Sequence, residues 1–75
     1  MDKFFALSEE KQITIINAAL QCFGKFGYDK ASVNDIAVTA HISKASVFQY
    51  FGNKKQLYTY LLEYCICLLY TSDAA

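Results

Sequence analysis

The sequence has no proline and only three glycines in 75 residues. With hydrophobic residues at 55%, that excludes a low-complexity or disordered chain and favours a mostly helical domain over a strand-rich one. Arginine is also missing. All seven basic residues are lysine, so bidentate reading of guanine by a guanidinium is excluded, and any reading of bases would have to come from lysine, glutamine, asparagine or apolar contacts. The first residues contain no uninterrupted apolar run, because Asp2, Lys3, Glu9, Glu10 and Lys11 break it. This argues against a secretory signal and makes the cytoplasm the expected location. Cys22, Cys65 and Cys67 form no C-x-x-C pair and no zinc spacing, so buried reduced thiols are expected, with neither metal nor cofactor.

A chain of this size makes one small domain whose core is marginal alone, since it buries only about 60% of its unfolded surface. Its formal net charge is zero, which by itself argues against a phosphate-binding surface. The distribution argues otherwise. Between Lys25 and Lys55, five lysines (25, 30, 44, 54 and 55) stand against Asp29 and Asp35, a local charge of +3 balanced by −3 elsewhere.

That basic region surrounds the most informative stretch, SVNDIAVTAHISKASVFQYF at residues 32–51. Val33, Ile36, Ala37 and Ala40 have helical spacing and define a buried face. Ser32 precedes them with Asp35 three residues on, a capping box in which each side chain answers the other's backbone N–H. His41, Ile42 and Ser43 interrupt the pattern, with Ile42 plugging the angle between two helices and Ser43 capping the second. The second helix starts at Lys44. Val47 and Phe51 face inward, leaving Lys44, Ala45, Ser46, Phe48, Gln49 and Tyr50 largely outward, as a DNA-reading helix requires.

An earlier helix runs from about Glu9 to Phe26, with Gln12, Ile15, Ile16, Ala19, Cys22, Phe23 and Phe26 on its inner face and Ser8 as its cap. Gly27 ends it, Tyr28 packs beneath the connector, and residues 1–7 form a frayed arm. After Phe51, Gly52 turns the chain and Asn53 caps another helix, with Gln56 three residues on. Leu57, Leu61, Tyr64, Cys65 and Leu68 form its inner face. Tyr58, Tyr60, Leu62, Ile66, Leu69 and Tyr70 make the other side apolar too, so that side needs a cover. It is too short and too charged, at Glu63, for a membrane span.

Taken in order, IINAALQCFGKFGY, SVNDIA, HISKASVFQYF and NKKQL resemble the N-terminal DNA-binding domain of TetR-family transcriptional regulators over about Lys11 to Leu62. The resemblance implies an all-α fold: a three-helix helix-turn-helix DNA-binding domain followed by a fourth helix, with the third helix in the major groove. It implies a phosphate-touching cap at Ser32 and groove contacts from Lys44, Ala45 and Ser46. Phe48 stands where the family usually has tyrosine, Gln49 where histidine is common, and Tyr50 at a retained aromatic position. Lys54 matches the phosphate-contacting lysine of the family's Y-F-x-x-K pattern.

Three positions depart from that pattern. His41 replaces a turn glycine where positive φ is needed. Phe48 loses a phenolic hydroxyl that would bind phosphate. Ala45 in place of the common glycine favours helix. The resemblance also implies a much longer ligand-binding and dimerising domain, so residues 1–53 form the head, 54–75 begin the fourth helix, and the ligand-binding domain is missing. The tail LLYTSDAA breaks the amphipathic pattern and resembles read-through past a cut reading frame.

The expected function is therefore sequence-specific binding of double-stranded DNA by a TetR-like regulator fragment, a repressor. When full length it would act as a homodimer on a palindromic operator, with no membrane role and with the small-molecule effector site absent from this chain. The alternative is a helical protein–protein interaction module using the apolar fourth helix. Enzyme activity is not expected, because the serines lack a His/acid relay and there is no phosphate loop.

Overall fold

Five helices follow one another in the computed structural model, which describes the backbone of residues 2–74 and the side chains of residues 2–68. They are α1 (Asp2–Phe5), α2 (Glu9–Lys30), α3 (Val33–Ala40), α4 (Lys44–Phe51) and α5 (Lys54–Ala74). No strand occurs among the described residues. The all-α architecture with a helix-turn-helix at α3–α4 agrees with the sequence reading.

The first difference is α1. Residues 2–5 form a helical turn rather than a frayed arm, and Phe4 is 0% exposed. Phe4 and Leu7 stand three residues apart, the spacing that puts both on one side of a turn. The Phe4 ring lies 4.8 Å from Phe51 and 5.6 Å from Tyr60, so burial of one large aromatic ring orders the segment. Gln12 was expected on the core face, but its side-chain amide donates to the carbonyls of Phe5 (3.2 Å) and Leu7 (2.9 Å). It satisfies acceptors that so short a helix leaves open.

Ser8 starts α2 by accepting the Lys11 N–H, with Glu9 and Glu10 in the first turn where the helix dipole favours them. Ile15, Ile16, Ala18, Ala19, Cys22 and Phe23 are buried. Phe26 is not; it is 43% exposed, beside Lys25 and Val38. The cause is Gly27. At φ 80° and ψ 165° it kinks the chain and returns Tyr28 over Phe23, with the rings stacked at 5.9 Å, so the corner is filled without Phe26.

The helix pair follows the sequence closely. Ser32 accepts the Asp35 N–H at 3.0 Å, although the reciprocal bond, from the Ser32 N–H to the Asp35 carboxylate, is not made. Val33, Ile36, Ala37 and Ala40 are buried, as are Val47 and Phe51 of α4. His41 takes the left-handed conformation (φ 61°, ψ 39°), and its N–H closes on the carbonyls of Ala37 and Val38. Ile42 is half-buried behind it, and Ser43 caps α4 through the Ser46 N–H.

Asn53 accepts the Gln56 N–H at 2.8 Å and opens α5. Leu57 and Leu61 enter the same core as α2–α4, so the packed unit continues past residue 53. Tyr64 and Cys65 are half-buried, but Leu68, expected inside, is 51% exposed, because α5 has by then run beyond its partners. Leu62 and Ile66 are also exposed, as the two-sided apolar pattern anticipates, whereas Tyr58 and Tyr60, placed on that same side, are half-buried against Phe23 and Phe4. The side chains from residue 69 onward, which take in Leu69, Tyr70 and most of the tail read as non-native, lie outside what the structure describes. No helix among those described is long and apolar enough to cross a membrane.

Candidate nucleic-acid interface

Two buried residues decide which way α4 faces. Val47 and Phe51 are four apart, one helical turn, and anchoring both turns the opposite side to solvent. Lys44, Ala45, Phe48 and Gln49 are exposed there. Lys44 and Phe48 are again one turn apart, with Nζ 6.0 Å from the ring centroid, so a cation and an apolar surface share one edge.

Ser46 and Tyr50 are less outward than their positions suggested. The Ser46 hydroxyl lies 2.8 Å from the Ser43 hydroxyl at the helix start. Whichever donates, the pair keeps one O–H able to reach outward. Tyr50 is half-buried, with its ring 6.2 Å from Phe4 and 6.4 Å from Phe51. Ser32 is half-buried at the start of α3; its oxygen is occupied by the Asp35 N–H but its hydrogen remains available to a phosphate oxygen.

Lys54 occupies a different setting. Its Nζ donates to the carbonyls of Tyr28 (2.7 Å) and Ala31 (3.2 Å) and lies 4.4 Å from the Tyr28 ring centroid. Ala31 immediately precedes Ser32, so α5 and the start of α3 meet here. The next residue, Lys55, is exposed, with Asn53 and Gln56 around it. Sequence reasoning used Lys55 only in the charge count and Ser43 only as a cap. The NKK doublet signalled two cations about 100° apart on a helix, but not which of them turns inward.

A family profile described as "Bacterial regulatory proteins, tetR family" matches residues 15–61, from the core face of α2 through the buried Leu61 of α5. The chain belongs to the tetR family. As a tetR-family chain it is similar to the HTH-type transcriptional repressor AcnR of Corynebacterium jeikeium (strain K411), with 37% identity over 49 residues, 65% of this chain and 26% of that protein. It is 35% identical over 51 residues to IcaR, the negative transcriptional regulator of the biofilm operon icaADBC in Staphylococcus epidermidis. That match takes in 68% of this chain and 28% of that protein. IcaR of Staphylococcus aureus (strain Newman) is 37% identical over 51 residues, covering 68% and 27% respectively. The tetR-family match thus spans about a quarter of these relatives' length.

Proposed function

We propose that this chain is the DNA-binding head of a transcriptional repressor and reads double-stranded DNA with α4 in the major groove. The observation that carries the reading is the solvent face of α4, where Lys44, Ala45, Phe48 and Gln49 stand over a buried Val47–Phe51 anchor. A lysine suits guanine, a glutamine suits adenine, and Ala45 and Phe48 suit a thymine methyl group. Ser32, the Ser43–Ser46 hydroxyl pair and Lys55 offer phosphate contacts that set the register, while Tyr50 braces α4 from behind. Regulation without chemistry on DNA, in the cytoplasm, follows from this reading.

In the intact protein, two heads would read the halves of a palindromic operator as a homodimer, and an effector would act through a domain outside this chain. The family match and the relatives' names support DNA-directed regulation; they lend no support to the interaction-module alternative. The test is fluorescence-anisotropy binding to a randomised duplex pool across a salt series, followed by sequencing of the selected duplexes. Affinity should fall as salt rises. Lys44→Ala should weaken binding, and Gln49→Ala should relax one selected base position, at a cost of about 1–3 kcal/mol. A folded chain that binds no duplex even at low salt sinks the reading.

A further inference from the structure

The environment of Lys54 is built for a cation. Lysine in the first turn of a helix opposes the positive end of the helix dipole, so Lys54 gains little from α5 itself. Its side chain instead runs back past the Gly27 kink to the turn that closes α2, where the last carbonyls lack helical partners. There the Tyr28 and Ala31 oxygens accept two of its three N–H bonds, and the Tyr28 ring covers it at 4.4 Å. The cage is itself fixed. Tyr28 stacks on Phe23 and meets Tyr58 of α5 edge-on at 4.8 Å, and Ala31 is buried. Lys55 takes no part in this cage and stays exposed.

We propose that Lys54 is a positioning residue which ties the start of α5 to the connector that opens α3, and that the phosphate contact at this corner belongs to Lys55. The second half rests on the DNA-binding reading; the first does not. Held this way, Lys54 fixes Ala31 and with it the Ser32 cap, so the helix-turn-helix keeps one orientation relative to α5. With two donors committed to carbonyls, Lys54 keeps one N–H for a phosphate oxygen, whereas the exposed Lys55 keeps all three.

The experiment is NMR of the lysine ammonium groups in the full chain, before and after addition of a short mixed-sequence duplex. The Lys54 ammonium should be visible, shielded by the Tyr28 ring and slow to exchange with water, and its resonance should hold still while those of Lys44 and Lys55 move. A Lys54 signal lost to rapid exchange in the free protein overturns the tether; a Lys54 signal that shifts with that of Lys44 overturns the assignment of the phosphate contact to Lys55. If no lysine signal responds to duplex, the DNA reading fails while the free-protein signature still decides the tether.

Two substitutions add an independent arm. Lys54→Met should speed amide exchange at residues 31–35 by on the order of tenfold, as expected for losing hydrogen bonds from a charged donor, and leave the salt slope of binding unchanged. Lys55→Ala should lower that slope by about 0.9, the value of one phosphate contact. The reverse pattern refutes the proposal. Should Lys54→Met not fold, Tyr28→Leu opens the cage with the charge retained, and the Lys54 ammonium should then exchange faster; unchanged exchange counts against the tether.

Discussion

The hydroxyl oxygens of Ser43 and Ser46 lie 2.8 Å apart, and the Ser43 oxygen also accepts the Ser46 N–H at 3.0 Å. The cap of α4 and the half-buried Ser46 at its first turn are therefore a single unit. Residues that start the helix also shape the surface it presents.

Ser43→Ala should lower stability by about 1 kcal/mol, because an open backbone N–H at the start of α4 loses its acceptor. Ser43→Asp keeps an acceptor and should hold the urea midpoint near the native value. It also puts a negative charge at the mouth of α4, so duplex binding should weaken although the fold survives. A Ser43→Asp chain that is as stable and binds as tightly as the native one would remove this site from the DNA-facing surface.

Phe4→Ala should cost about 3–5 kcal/mol, the range for emptying a buried aromatic site, and in so small a domain that threatens folding altogether. Phe4→Leu should cost less because it refills part of the space between Phe51 and Tyr60. Urea denaturation followed by circular dichroism reads both. A Phe4→Ala chain unfolding at the native midpoint would show that α1 is not part of the core.

His41→Gly should stabilise the protein by about 1 kcal/mol by relieving the Cβ cost of the left-handed backbone at φ 61°. For a domain of this length that raises the thermal midpoint by about 4–8 °C. His41→Val should do the opposite, since a β-branched side chain tolerates that conformation worst. Scanning calorimetry on the three chains would order them Gly above His above Val, and any other order refutes the strain argument.

Tyr60 titrates above the ordinary tyrosine value of 10.0, chiefly because burial disfavours the phenolate and secondarily because Tyr64 and Cys67 would add like charge. A raised native value means that the folded state holds its proton more tightly than the unfolded chain does. The associated stability is complete below pH 10.0 and is lost as pH rises through the higher native value. Stability should therefore fall in strongly alkaline solution, and Tyr60→Phe should flatten that fall. Equal alkaline slopes for the two chains would dismiss the effect.

The helix pair was the most legible part of the sequence because its signals are local. Apolar spacing gave Val33, Ile36, Ala37 and Ala40, and a serine stood at each cap. What escaped depended on contacts between distant segments. Phe4 is ordered by Phe51 and Tyr60, neither near it in sequence, and Phe26 is displaced by a return of the chain that only the angle at Gly27 specifies. The exposed lysine and glutamine of α4 could be placed by periodicity; Lys54 could not, because its partners are carbonyls 23 and 26 residues back.

The burial of Phe4 bears on how this protein is handled. The family match begins at residue 15, and an excision drawn from that boundary would discard one of the most enclosed rings in the molecule. Fusion partners, affinity tags and protease sites at the N-terminus act on the folding unit itself. A shortened preparation that proves insoluble or inert would then report on a missing aromatic side chain rather than on the recognition helix.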